Sequence, residues 1–123
     1  MAKEFQQKKL LLESRGLDKL TYKVIIAPEA IDDMQRHYDY IAYEKKSIIN
    51  AEAQLSRIQE EILKLDTLPN GFRRYPKEPW HSRGLRYFPV DNYLVFYMVD
   101  EENHIVNVMR VIGGQMNLDQ IWK

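Results

Sequence analysis

Apolar positions along this chain follow two different rhythms, and the change between them divides it. From Glu29 to about Lys45, Ile31, Met34, Tyr38 and Ile41 recur at spacings of three and four, which lines them up on one helical stripe. Ala51, Leu55, Ile58, Ile62 and Leu65 repeat that spacing downstream, so two amphipathic helices joined near Lys45 to Ser47 are expected to pack as an antiparallel hairpin. Pro28 suits the first helical position and Ser47 suits an N-cap. Beyond Trp80 the rhythm shortens: Leu85 to Val90, Tyr93 to Val99 and Ile105 to Ile112 are strand-like runs rich in β-branched and aromatic residues. Asp91 and Asn92 form a two-residue hairpin turn, and Asp100 to Asn103 a longer polar one, so the three runs are antiparallel neighbours. Thr21 to Pro28 reads as one more strand, which has no hairpin partner and is expected to join the same sheet at one side. The expected fold is α+β, a helical hairpin packed on a small twisted antiparallel sheet in the order β-α-α-β-β-β.

The remaining segments punctuate this pattern. Residues 3 to 15 read as a short helix with a weak apolar face, Gly16 serving as its left-handed C-cap, so residues 1–20 form an N-terminal extension to a domain of residues 21–123. Pro69, Asn70 and Gly71 turn the chain after the second helix, and Pro76 and Pro79 keep the stretch to Trp80 irregular. Gly113 and Gly114 stop the last strand, and the residues after them are expected to form a final short turn. In the central run, alternation separates Tyr93, Val95 and Tyr97 from Leu94, Phe96 and Met98. The second set is expected to be core, and the first to face a partner.

Composition narrows the function classes. At 123 residues with 45% hydrophobic content the chain suits one domain with a modest core. No run approaches the roughly 20 apolar residues of a membrane helix, and the N-terminus lacks a secretory h-region, so a cytoplasmic protein is expected. Zero cysteines exclude disulfides and thiolate metal sites; His37, His81 and His104 lack ligand spacing, and neither a metal nor a cofactor is expected. The formal charge is zero, yet residues 62–90 carry six Lys/Arg against two Asp/Glu while residues 29–61 carry four against eight. The basic segment of Lys64, Arg73, Arg74, Lys77, Arg83 and Arg86 is open to two readings, a surface for an anionic partner or a partner for the acidic helical face of the same chain.

Several phrases together resemble a known family: "YKVIIAPEAIDDM", "YDYIAYE", "LDTLPNGFRRYP", "RGLRYFPVDNYLVFYMVD" and "VMRVIGG". Over about residues 22 to 122 the chain resembles the RelE/ParE superfamily of toxins from type II toxin–antitoxin modules. The resemblance implies a helical hairpin against a small sheet, a cognate antitoxin as partner, and one of two targets: DNA gyrase for ParE-like members, or mRNA on the ribosome for RelE-like endoribonucleases. It matches Arg86 to the arginine before the central hairpin, Tyr93 to a tyrosine opening the next strand, and Arg110 to a strand arginine of the ParE-like branch. Where members carry His or Tyr, then Gly, then Arg after the last strand, this chain has Gly113, Gly114, Gln115 and Met116.

That departure bears on chemistry. RNA cleavage by 2′-hydroxyl attack needs a base, an acid and cations for the phosphorane. A ribonuclease site would therefore have to be assembled from Arg83, Arg86, Tyr93, His81 and Arg110, and arginine is a poor general base. The favoured expectation is a ParE-like toxin that binds a cellular target, possibly gyrase; the alternatives are a ribosome-dependent endoribonuclease and a degenerate toxin that only binds its antitoxin. Arg86 is expected to contact phosphate or a partner, or else to pair with Asp32 or Asp39. Arg110 alternates with apolar neighbours and is expected to be half-buried against a carboxylate. His81 is expected in a solvated loop, and Trp80 as a lid on the core. A homodimer or toxin–antitoxin hetero-oligomer is expected, with residues 3–20 packing on the chain's own surface or on a second copy and partly covering the groove for the antitoxin.

Overall fold

The computed structural model describes residues 21–114. The N-terminal extension and the segment after Gly114 lie outside the described residues, as do the helix, cap and final turn expected there.

The elements follow the expected order. Strand β1 (Lys23–Ile26) leads into helix α1 (Pro28–Asp39), which continues through a π-helical turn (Tyr40–Glu44) to helix α2 (Ile48–Leu63). Pro28 opens α1, and Ser47 caps α2 by accepting from the Asn50 amide at 3.2 Å, both as the sequence implies. The π-turn is marked by the Lys45 amide reaching back five residues to the Tyr40 carbonyl. After two 3₁₀ turns (Lys64–Asp66 and Pro69–Gly71) and a one-turn helix α3 (Trp80–Arg83), strands β2 (Arg86–Val90), β3 (Tyr93–Asp100) and β4 (Ile105–Gly113) complete the sheet.

Strand order is β1-β4-β3-β2, antiparallel from β2 to β4. The first strand joins at the side, as expected, but parallel to β4, pairing Lys23 with Ile105 and Ile26 with Val108. The helical hairpin between them acts as a crossover and permits this direction. Segment 73–75 runs along the free edge of β2: the Tyr75 amide donates to the Leu85 carbonyl at 2.7 Å and the Tyr87 amide to the Arg73 carbonyl at 3.2 Å. What reads as irregular loop there makes one isolated bridge to the sheet edge.

The core confirms both helical stripes. Met34, Tyr38, Ala51, Leu55, Ile58, Ile62 and Leu65 are all buried against one sheet face, together with Val24, Ile26, Phe88, Val95, Tyr97, Val106, Val108 and Val111. The expectation for β3 is corrected here. Val95 and Tyr97 are fully buried under the helices and face no partner, whereas Leu94, Phe96 and Met98 belong to a smaller cluster on the opposite face with Leu85, Ile112, Tyr75 and Trp80. Alternation separates two faces correctly but cannot say which one the helices cover, and the 72–85 segment covers part of the other. Trp80 does act as a lid, on this second cluster.

A bulge in β4 breaks strict alternation. Phe96 pairs with Arg110 and Tyr97 with Val108, which leaves Met109 without an opposite residue. The extra residue resets the phase, so Val108 and Val111 both face the helices while Ile112 faces the smaller cluster.

Candidate functional site

Two arginine environments are built from these elements. At the α1 end of the sheet, buried Asp33 collects donors. It accepts from Arg110 Nε at 2.7 Å and Nη2 at 2.8 Å, from the Val111 amide at 2.9 Å, and from the Arg36 guanidinium. Asp33 is 1% exposed and the Arg110 side chain 17%. The pair raises the Arg110 pKa above its ordinary value, first through the hydrogen bonds it donates to Asp33. Arg110 is thus a half-buried structural cation, as its alternation with apolar neighbours implies, and two edges of its guanidinium grip both oxygens of Asp33. Asp33 itself was hidden in plain view: it falls with Ala30, Met34, His37 and Tyr38 on the buried stripe of α1, and polar residues on such a stripe signal a built-in network.

His37 and Tyr93 adjoin this network. Their rings lie 4.1 Å apart, and His37 Nε2 donates to the Val111 carbonyl at 2.7 Å. Burial lowers the His37 pKa, against an opposing pull from that hydrogen bond. Burial likewise raises the Tyr93 pKa, with Tyr40 and Asp91 adding to it, so its phenolate is disfavoured and it is a poor base. Beside it, Pro89, Asn92, Leu94, Gly113 and Gly114 line a shallow groove of about 510 Å³. The one carboxylate in that lining, Asp91, is held by Arg57 through Nε at 3.0 Å and Nη2 at 2.8 Å.

The second environment is the β2 edge. Arg74 and Arg86 are opposite each other in a non-hydrogen-bonded antiparallel pair, the arrangement that brings side chains closest, at Cβ separations of about 4.5–5.5 Å. Like charges there repel unless something anionic sits over them. Neither makes a direct ion pair: Arg86 Nη1 donates to the Phe72 carbonyl at 2.6 Å, with Glu101 within electrostatic reach, and Arg74 makes a long 3.5 Å contact to the His81 carbonyl. The expected pairing of Arg86 with Asp32 or Asp39 is therefore corrected. Both carboxylates belong to α1, whereas Arg86 lies on the strand at the far edge of the sheet from β1 and spends its donor on Phe72. Phe72, beside Arg86, is exposed, and so is Leu68 four residues earlier, 87% exposed in a left-handed conformation with φ of 49°. Phe72 stacks on Phe88 at 4.5 Å, and the Tyr97 hydroxyl donates to the Pro69 carbonyl below it. Burial pushes the Tyr97 pKa up to about 12.

Of the candidate residues, Arg83 stacks on Trp80 with its guanidinium 5.5 Å from the ring centre, and His81 Nδ1 donates to the Tyr75 carbonyl at 3.2 Å, on the one-turn helix α3. Tyr93 lies four residues along β3 from Tyr97, the partner of Arg86, a separation of about 13 Å. Arg110 lies across β3, about 10 Å from the β2 backbone, with its head turned to α1. The five candidates thus split among three places. Arg74, which sequence reasoning did not single out as a site residue, lies across the bridge from Arg86; its signal was a double arginine two residues before a proline, read as loop. The aromatic residues divide likewise: Phe72, Phe88 and Tyr97 pack on the helical side, Tyr75, Tyr87 and Phe96 on the other.

Among the described residues, no group of three His, Cys, Asp or Glu gathers as a metal site, and no helix is long and apolar enough to cross a membrane.

This arrangement of a helical hairpin packed on a four-stranded sheet is that of the RelE/ParE superfamily of toxins. Residues 24–118 match the family described as the ParE toxin of the type II toxin–antitoxin system parDE, and the chain belongs to that family. Among solved structures, it is similar to a chain of the chromosomal ParDE TA system from P. aeruginosa, with 17% identity and a TM-score of 0.60 over 78% of this chain and 98% of that one. It is also similar to a chain of the toxin–antitoxin complex RelBE2 from Mycobacterium tuberculosis, with 18% identity and a TM-score of 0.57 over 78% of this chain and 94% of that one. Identities this low speak for a shared fold alone. No curated protein matches.

Proposed function

We propose that this toxin works by gripping a protein target, DNA gyrase in the ParE manner, and that a cognate antitoxin neutralises it. The observation that supports this reading is the β2 edge, where Arg74 and Arg86 face each other across a bridge without a direct ion pair, and exposed Phe72 adjoins Arg86. Mixed cationic and apolar anchors suit an acidic protein surface, where arginines and aromatics carry most of the binding energy. Cutting RNA would instead require a base and an acid at one phosphate. His81 is the one imidazole on this edge, Tyr93 is about 13 Å away along the hairpin, and Arg110 is bound to Asp33.

The endoribonuclease reading is the second one, and it rests on His81 lying next to Arg74. Induction in cells separates the two. Filamentation with a DNA-damage response, relieved by the double substitution Arg74→Glu/Arg86→Glu and by the antitoxin, is the expected result. A rapid stop in translation with mRNA cut at codon boundaries would replace gyrase by the ribosome, and the absence of any growth defect would leave a chain that only binds its antitoxin.

A further inference from the structure

The sheet face opposite the helices is covered unevenly. Over β2 and β3 the 72–85 segment closes it with Tyr75, Trp80 and Leu85. Over β1 and β4 no described element does so, and Ile25, Met98, Asn107 and Met109 line a shallow groove of about 800 Å³ that ends at Asp100 and Glu101. Both carboxylates are held below their usual pKa, Asp100 by hydrogen bonds from Asn103 and Glu101 by those from Tyr22 and then Asn70, so this end of the groove is anionic at neutral pH.

The chain enters the fold at that same end. The Lys23 amide donates to the His104 carbonyl at 2.8 Å, and the Tyr22 hydroxyl donates to Glu101 at 2.7 Å, so the described chain starts, at residue 21, next to the acidic turn. The twenty residues before it hold Phe5, Leu10, Leu11, Leu12 and Leu17, with Lys3, Lys8, Lys9, Arg15 and Lys19 against Glu4, Glu13 and Asp18. We propose that residues 1–20 dock in cis on this groove, apolar side chains against Ile25, Met98 and Met109 and cationic ones over Asp100 and Glu101. The reach is sufficient: residues 3–15 as a helix would measure about 20 Å, against about 13 Å of β4 from Ile105 to Met109. The sign of the charge is right, and the Met-lined wall suits an irregular apolar ligand. This docking is independent of whether the toxin acts on gyrase or on RNA.

The chain has no cysteine, so paired substitutions in the full-length protein report proximity cleanly. Leu10→Cys or Leu12→Cys, each combined with Met98→Cys or Met109→Cys, is expected to form an intramolecular disulfide under mild oxidation in at least one pairing. Bonds formed only between molecules would assign the groove to a second copy and overturn the proposal, as would no bond in any pairing. A second measurement avoids engineered bonds. In the full chain carrying Leu10→Asp/Leu12→Asp, peroxide is expected to oxidise Met98 and Met109 roughly tenfold faster than in the parent, the equivalent of about 1.4 kcal/mol of lost local cover. Core Met34 should stay protected and so report an intact fold. Unchanged rates at Met98 and Met109 would overturn the docking.

Discussion

Arg110 and Arg86 stand opposite consecutive residues of the same strand, Phe96 and Tyr97 of β3, one on each side, yet their surroundings differ completely. Arg110 turns to a buried carboxylate that also holds a backbone amide and a second arginine. Arg86 meets another arginine and a carbonyl. A buried ion pair costs desolvation and persists only when its hydrogen bonds are complete, which makes the Asp33 end a rigid joint. The β2 edge instead sets two arginines opposite each other with no direct ion pair of their own.

The largest effect is expected at the joint. Asp33→Ala strands the half-buried Arg110 and should cost about 3–5 kcal/mol in urea unfolding, whereas Arg86→Ala should change stability by less than about 0.5 kcal/mol. Equal losses at the two sites would erase the distinction. Next in size is function: Arg74→Glu/Arg86→Glu should weaken target binding by about 2 kcal/mol or more, read as loss of growth inhibition at unchanged protein level. Retained toxicity would move the binding surface elsewhere.

Tyr97 sits under the β2 edge and sharpens the contrast through pH. Its hydroxyl ionises near 10 when unfolded and about 12 when folded, so the neutral form is favoured by the fold. Stability from this group is present below pH 10 and drains as pH rises towards 12. Tyr97→Phe should lower stability by about 1 kcal/mol at pH 8, by orphaning the Pro69 carbonyl, and flatten that alkaline decline. The smallest effect belongs to His37, whose folded pKa is depressed by burial. Its contribution is present above about pH 6.5 and is lost as pH falls, because the unfolded chain takes up the proton first. Unfolding midpoints compared at pH 7.5 and pH 5.5 should fall less for His37→Asn than for the parent.

Much of the fold was legible because periodicity is a strong signal: both helical stripes, the Ser47 cap and the two hairpin turns can be read off the chain. The direction of β1 could not be, since a strand without a hairpin partner is oriented by the crossover that follows it. Arg110 was legible as a paired cation, though Asp33, 77 residues away in sequence, became its partner only through the α1–β4 packing. The pairing of Arg74 with Arg86 was invisible, because a double arginine between a glycine and a proline carries no strand signal. Nor could one sequence reveal the bulge at Met109, where the pattern merely looks irregular.

The parallel β1–β4 pair also governs the timing of assembly. Lys23 meets Ile105, 82 positions further along the chain, so β1 must wait for β4. Until β4 has left the ribosome, β1 lacks its hydrogen-bonding neighbour and Asp33 lacks both Arg110 and the Val111 amide. A nascent chain halted before residue 105 would hold the helical hairpin and the β2–β3 hairpin without the strand that joins them to β1, so premature termination there should yield no folded domain.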